Sequence, residues 1–145
     1  MIGGEYAKPK VRLPGSGGAC DLASLCWRTL VVTKHDPRRF TEKLDFLTTP
    51  GYLTGPGARE AAGLPPNTGP FRVITDLAVM GYHPENKRMQ VRSLHPGVTL
   101  DQVRNATGFE LEVVGRLEET PAPTGRELEI LRTEVDPHRY VLGRS

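Results

Sequence analysis

A run of small residues, Gly15-Ser16-Gly17-Gly18-Ala19, leads directly into the short amphipathic stretch Asp21-Leu22-Ala23-Ser24-Leu25. Glycines let a ligand approach the backbone without interference from Cβ atoms, and the first N–H groups of a helix have no partner within that helix. Together these properties build an anion site of the oxyanion-hole type. The pattern therefore predicts a backbone anion site at a helix start, with a plain glycine turn as the alternative.

The spacing of this glycine loop differs from that of the nucleotide-binding motifs. It lacks the glycine spacing of the dinucleotide fingerprint and the Gly-Lys-Ser/Thr ending of a P-loop. Cys20 follows the loop, and a helix start activates a thiol. We nevertheless interpret Cys20 as a small packed residue, because no histidine or other base lies nearby in the sequence. Glu5 precedes the loop, and we interpret it as a solvated loop carboxylate.

Histidines and cysteines give few further candidates for chemistry. The four histidines stand singly, and three of them neighbour a proline, which is typical of loops and strand ends. His95 is the exception, because it closes an apolar strand before a Pro-Gly turn and is placed to face a cleft. Cys20 and Cys26 do not form a C-x-x-C pair, and no second cysteine pair completes a zinc site. We therefore expect no metal.

The composition indicates one mixed domain over residues 1–145. The net charge of +2 comes from 19 basic and 17 acidic residues that are well mixed, so no basic patch indicates nucleic acid. Arg38-Arg39 with Lys43 is the densest basic spot, and we interpret it as a solvated face in preference to a phosphate site. No apolar run approaches the roughly 20 residues of a membrane span. Two cysteines without a signal segment indicate a cytoplasmic location.

The apolar periodicity predicts a mixed α/β chain. Residues 36–70 are rich in Pro, Gly and Thr, and we expect a long connection that is either a functional loop or a segment packed against a partner. The predicted strands are a buried strand within 27–33, an interior strand 71–80 that forms a hairpin with 88–94, and a half-exposed strand 109–114. A helix is predicted over 100–106, with Thr99 as its N-cap and a left-handed Gly108 after its end. A second helix is predicted to begin at Thr124, with a capping box to Glu127, and to end at Asp136-Pro137.

An ordered series of motifs accompanies the glycine loop. They are residues 13–24 (LPGSGGACDLAS), 34–40 (KHDPRRF), 42–48 (EKLDFLT), 73–79 (VITDLAV), 93–99 (SLHPGVT) and 106–110 (ATGFE). In this order they resemble the β subunits of family I coenzyme A transferases of the glutaconate CoA-transferase type. The likeness covers nearly the whole chain from the glycine loop to Asp136-Pro137.

This resemblance implies an open α/β fold, with a mixed sheet flanked by helices, in which α and β subunits build an active site at their interface. It also implies a ping-pong transfer of CoA from an acyl-CoA to a carboxylate. A β-subunit glutamate attacks the thioester and then carries CoA as an enzyme thioester. The glycine loop donates backbone N–H groups to the thioester oxygen, which falls here on Gly17 or Gly18, with Gly15, Ser16 and Ala19 completing the CoA-binding loop. A CoA thioester is thus expected as substrate, with no permanently bound cofactor.

One departure from the family pattern limits these implications. The catalytic glutamate of the family lies well N-terminal to the glycine loop, and Glu5 lacks its context. The chain is therefore expected to correspond to the C-terminal portion of a β subunit. Its expected partners are the N-terminal part of the β subunit, together with the α subunit. Decarboxylation or hydrolysis of a CoA thioester, or a non-catalytic interaction module, are the alternatives that the sequence leaves open.

Overall fold

The computed structural model describes residues 2–5, 7–11 and 15–143. Leu13 and Pro14 of the first motif lie outside the described residues, as do the side chains of residues 1–6. The strands are β1 (Ile2–Glu5), β2 (Lys8–Val11), β3 (Thr29–Val32), β4 (Pro70–Ile74), β5 (Ala78–Tyr82), β6 (Met89–Leu94) and β7 (Glu112–Glu119). The helices are α1 (Gly17–Leu25), α2 (Ala58–Ala61), α3 (Leu100–Asn105) and α4 (Gly125–Ile130), the last continuing as a π-helical turn over Leu131–Val135.

Five strands form one open mixed sheet in the order β3-β4-β5-β6-β7. The outer pairs β3–β4 and β6–β7 are parallel, whereas β4–β5 and β5–β6 are antiparallel. Strands β1 and β2 form a separate antiparallel hairpin. The predicted mixed sheet and the β5–β6 hairpin are thus confirmed.

The core lies on one face of this sheet. Val31 and Val73 are lateral neighbours in β3 and β4, and α3 packs over the same face through the fully buried Val103. The buried apolar residues of this cluster are Phe40, Val73, Ala78, Met80, Val91, Val103 and Leu111. Leu30 and Arg72, also lateral neighbours, point to the opposite face because side chains alternate along a strand.

The predicted strand 71–80 is wrong, because the chain breaks into β4 and β5 at Thr75. The hydroxyl oxygen of Thr75 accepts hydrogen bonds from the backbone N–H groups of Leu77 and Ala78, at 3.1 and 3.0 Å. A threonine hydroxyl that binds the backbone two and three residues on replaces strand pairing with a tight turn. The apolar run therefore supplies two antiparallel strands.

The expectation of a buried strand at 27–33 is also wrong. The strand forms as β3, but it is the edge of the sheet, and its side chains Leu30 and Val32 are 60% and 79% exposed. No described residue covers this edge or the face that Leu30 and Val32 share. Glu5 likewise lies in strand β1, paired in register with Lys8, and not in a loop as expected.

Gly108 differs from its predicted role as a left-handed helix stop. Helix α3 ends at Asn105 with Ala106 as its C-cap, and the φ of Gly108 lies outside the left-handed range. A Cβ at Gly108 would lie 2.7 Å from the carbonyl oxygen of Phe40, to which the Gly108 N–H donates at 2.7 Å. Glycine is needed there for a close approach between two backbone segments.

The two predicted N-caps are confirmed in full. Thr99 and Thr124 each accept a hydrogen bond from the backbone N–H three residues on, and Gln102 and Glu127 each accept one in return from the backbone N–H of the cap. Between β3 and β4, where every residue is described, the one named helix or strand is the short α2, in line with the predicted long connection. The half-exposed strand forms later than expected, as β7, and the last helix ends before Asp136 as predicted.

Candidate functional site

The glycine loop stands at the start of α1, as predicted. Ser16 is the N-cap residue, and its side chain makes no capping hydrogen bond. Cys20 N–H donates to Ser16 O at 2.9 Å, which makes it the first donor of the helix to find a partner among the described residues. The N–H groups of Gly17, Gly18 and Ala19 precede it, and all three residues are exposed. This helix start therefore offers successive backbone donors to a group outside the described chain.

Three glycines of the loop have no explanation within the described chain. A Cβ at Gly15, Gly17 or Gly18 would meet no atom within 4 Å, and none of the three has a φ in the left-handed range. Neither backbone conformation nor packing thus requires glycine there. A Cβ at these positions would project into open space beside the exposed helix start.

A buried arginine anchors the opposite end of α1. Arg59 is 2% exposed, and its Nη2 donates to the carbonyl oxygens of Ala23 and Ser24 at 3.1 and 3.3 Å. It also donates to Gly51 O at 2.9 Å and to the hydroxyl of Thr68 at 2.9 Å. Within α1 only Ala23 is buried, and these hydrogen bonds connect the helix to the segment that contains α2.

An apolar cleft of about 280 Å³ opens beside α1. Cys20 is half-buried in its wall, and its sulfur lies 4.0 Å from the hydroxyl of Ser24, one helical turn on. No histidine lines this cleft, so the interpretation of Cys20 as a packed residue is the one that fits its surroundings. The lining residues are Cys20, Leu47, Thr48, Thr49, Pro50, Leu53, Ala62 and Leu64.

His35 is a buried polar residue that the sequence did not single out. Its ring stacks on Phe40 with centroids 4.3 Å apart, Nδ1 lies 3.1 Å from the Thr75 hydroxyl, and Nε2 lies 2.9 Å from the Thr107 hydroxyl. Thr107 donates its own proton to Val103 O, so we assign Nε2 of His35 as the donor to Thr107. The single proton of the Thr75 hydroxyl goes either to Nδ1 of His35 or to Ala78 O, each 3.1 Å away. Burial lowers the pKa of His35, and the nearby Asp76 opposes that shift.

His95 reaches the same turn from the other side. Its Nε2 lies 2.8 Å from Thr75 O, at the junction of β4 and β5. The predicted cleft-facing histidine therefore holds a turn of the fold. The two histidines and Thr75 form one hydrogen-bonded group, in which His95 and His35 lie 20 and 40 residues from Thr75 in sequence.

The basic spot after β3 is engaged within the chain. Arg38 donates to both carboxylate oxygens of Asp36, from Nε at 3.1 Å and Nη2 at 2.8 Å. These side-chain hydrogen bonds, with one from the Arg38 backbone, lower the pKa of Asp36 to about 2. Arg39 donates to the hydroxyl of Thr33 at 2.6 Å. The arrangement is that of a solvated surface pair, in line with the interpretation from sequence.

Two kinds of site are absent from the described ranges. Nowhere within residues 2–5, 7–11 and 15–143 do three His, Cys, Asp or Glu side chains gather as metal ligands would. Over the same residues, no helix has both the length and the apolar character needed to cross a bilayer.

Comparison with known proteins identifies the family of the chain. A family model described as Coenzyme A transferase matches residues 1–106. The chain belongs to the coenzyme A transferase family. The B subunit of glutaconate CoA-transferase from Acidaminococcus fermentans is 38% identical over 134 residues, which are 92% of this chain and 50% of that protein. The B subunit of 3-oxoadipate CoA-transferase from Pseudomonas knackmussii is 44% identical over 129 residues, 89% of this chain and 49% of that one.

The fold agrees with this family. The crystal structure of glutaconate CoA-transferase from Acidaminococcus fermentans superposes with a TM-score of 0.84 at 36% identity, covering 98% of this chain and 54% of the matched chain. This CoA-transferase family chain thus spans about half the length of the relatives it matches. The resemblance to glutaconate-type β subunits inferred from the motifs is confirmed.

Proposed function

We propose that the chain forms part of the β subunit of a heteromeric CoA-transferase, which moves CoA between an acyl-CoA and a carboxylate. The observation that carries the proposal is the exposed helix start with three glycines that the chain's own packing does not require. Membership of the coenzyme A transferase family and two relatives named as CoA-transferase B subunits support it. Residues 1–145 contribute one domain to this assembly.

The proposed role of the glycine loop is electrostatic. Attack on a thioester moves negative charge onto its carbonyl oxygen, and N–H groups already aimed at that oxygen stabilise the charge without reorganising. Gly17 and Gly18 supply these donors, and Gly15, Ser16 and Ala19 shape the loop around the thioester. The positive end of the α1 macrodipole adds to their effect. The attacking carboxylate and the α subunit come from polypeptide outside these residues.

The glycine requirement is tested by Gly18→Val in the assembled enzyme. A valine side chain displaces the thioester oxygen from the loop, and we expect kcat to fall about 10²-fold, which is the typical effect of one lost oxyanion donor. Gly125→Val is the matched control, because Gly125 also lies in the first turn of a helix and a Cβ there meets no atom within 4 Å. Equal activities of the two variants would overturn the assignment of the loop.

The reaction itself is tested by reconstitution. The chain is co-expressed with the N-terminal half of the Acidaminococcus fermentans β subunit, together with the α subunit of that enzyme, and transfer of CoA from an acyl-CoA to acetate or a dicarboxylate is measured. We expect transfer, and inactivation by hydroxylamine or borohydride only when acyl-CoA is present, because both reagents attack the enzyme thioester.

Two other results of this experiment would replace the transferase proposal. Release of free CoA without any acceptor carboxylate would identify a hydrolase. Release of CO₂, with CoA retained in the shortened thioester, would identify a decarboxylase. Failure of the assembled complex to bind CoA in isothermal titration would identify an interaction module without catalytic function.

A further inference from the structure

Three arginines converge on the sheet face opposite the core. The guanidinium groups of Arg28 and Arg72 lie 4.3 and 3.9 Å from the centroid of the same Phe71 ring. A Cβ at Gly81 would lie 3.1 Å from Arg72 Nη1 and 2.7 Å from Arg92 Cδ, so these two side chains meet over the glycine. We call Arg28, Phe71, Arg72 and Arg92 the arginine patch.

None of these three arginines is paired with a carboxylate of the described chain. The ion pairs within the described residues involve Arg38, Arg88, Arg104 and Arg116, each at the surface and elsewhere in the chain. Partial burial, with the like charges of Arg92 and Arg28, lowers the pKa of Arg72. Three adjacent cations repel one another, and partial burial weakens the screening by water. An anionic partner would remove this repulsion.

The arginine patch continues into an uncovered apolar surface. Leu30 is the lateral neighbour of Arg72, and Val32 is the neighbour of Ile74, so these side chains share the face of the patch. Leu30 and Val32 are largely exposed. The β3–β4 pair is parallel, and parallel strands are normally covered on both faces. Aromatic residues and arginine beside aliphatic side chains are also the composition of strong protein interfaces.

A second copy of the chain does not fit this face. A two-fold dimer through the patch would set the same three arginines against each other, and like charges across an interface are costly. A polypeptide layer with carboxylates among apolar side chains fits both its charge and its apolar flank. The relatives are about twice as long as this chain, so they contain polypeptide of the length that such a layer needs.

We propose that the arginine patch, with Leu30 and Val32, is the docking surface for a polypeptide layer corresponding to the N-terminal half of the β subunit, and that carboxylates of this layer pair with Arg28, Arg72 and Arg92. The inference rests on the proposed function in its choice of partner. The arginines fix the register of the two layers, and the apolar flank supplies most of the buried area.

The experiment measures docking without CoA, so it is separate from the test of the reaction. The tagged chain is co-expressed with the untagged N-terminal half of the Acidaminococcus fermentans β subunit, and the complex is weighed by light scattering and titrated for its Kd. Reversing one charge of a desolvated pair typically weakens association strongly. We therefore expect Arg72→Glu to raise the Kd about 10²-fold, and high salt to weaken the wild-type complex.

Arg28→Glu is a second variant, chosen because Arg28 is exposed and its replacement leaves the sheet interior unchanged. We expect Arg28→Glu to raise the Kd as well. Arg126→Glu, an exposed position on α4, is the matched control and should leave the Kd unchanged. The proposal is overturned if Arg28→Glu and Arg72→Glu both bind like the wild type. It is equally overturned if the patch variants lose binding of inorganic phosphate or CoA but keep the complex, or if they abolish only the association with the α subunit.

Discussion

Arg59 offers the sharpest test of how α1 is held in place. Replacing it with alanine removes a guanidinium that donates to three backbone carbonyls and to one threonine hydroxyl. The two bonds at 2.9 Å, to Gly51 O and to Thr68, are the better made. The perturbation therefore separates the C-terminal end of α1 from the loop that contains α2.

The magnitude follows from these contacts. A hydrogen bond from a charged donor contributes about 1.5 kcal/mol or more, so the two short bonds amount to about 3 kcal/mol. Removing the buried charge also removes its desolvation cost, which reduces the destabilisation. Loss of the two longer bonds to Ala23 and Ser24 increases it. The neighbouring cavity of about 260 Å³ admits water, which limits the loss at the freed carbonyls. We expect Arg59→Ala to lower the free energy of unfolding by about 3 kcal/mol.

Thermal unfolding with hydrogen exchange measures the effect. For a chain of this length, about 3 kcal/mol corresponds to a Tm lower by about 6–12 °C. The amides of α1 should exchange faster, since the helix buries only Ala23 by itself. Arg59→Lys should recover part of the loss, because an ammonium donates fewer bonds in a different geometry. Arg126→Ala, an exposed control, should stay within about 0.5 kcal/mol of the wild type. A Tm of Arg59→Ala equal to that of the control would refute the reasoning.

The fold also makes three shorter predictions. Burial holds the pKa of His35 below 6.5, so the unfolded chain binds a proton at a higher pH than the folded chain does. The contribution of His35 to the free energy of unfolding should therefore be fully present above pH 6.5 and fall as the pH drops toward the folded-state pKa. In His35→Gln, Tm measured against pH should lose this dependence. Gly108→Ala should destabilise by about 1–3 kcal/mol in denaturant titrations, because its Cβ meets Phe40 O at 2.7 Å, whereas Gly115→Ala, with open space, should not. The chain without partners should self-associate through the exposed edge of β3 and through exposed apolar residues away from the arginine patch, such as Leu25 and Phe46. A monodisperse monomer in light scattering with a cooperative melt would contradict this.

The sequence predicts the features that arise from local chemistry. A capping box needs only two residues three positions apart, so Thr99 and Thr124 are recognisable without the fold. The β5–β6 hairpin follows from a polar turn between two strand patterns. The exposed position of the glycine loop at the start of α1 is also local, because glycines and a following amphipathic stretch mark the junction.

Features that depend on distant contacts escape such reasoning. The break at Thr75 depends on a hydroxyl that turns the backbone inside an apolar run, and periodicity gives no sign of it. In sequence His35 has the pattern of a loop residue, and its burial depends on a hydrogen bond with Thr107, 72 residues away. Arg59 lies in the short helix α2 of a Pro- and Gly-rich segment, where the sequence gives no sign of burial. Its burial depends on partners distant in sequence, among them the carbonyl oxygen of Ala23 in α1. The exposure of β3 depends on what covers the sheet, which a strand pattern does not contain.

The hydrogen bonds of His35 have a consequence for the order of folding. They close chain segments of 40 and 72 residues, to Thr75 and to Thr107, and closure entropy rises only slowly with length. The His35 ring makes both hydrogen bonds only when the β4–β5 turn and the end of α3 have formed. We therefore expect these bonds to form after the folding transition state. Substitutions at His35 should then accelerate unfolding and leave the folding rate nearly unchanged, which the two arms of a chevron plot distinguish. His35, which lies outside the glycine loop, would then govern the unfolding rate and so the lifetime of the folded chain.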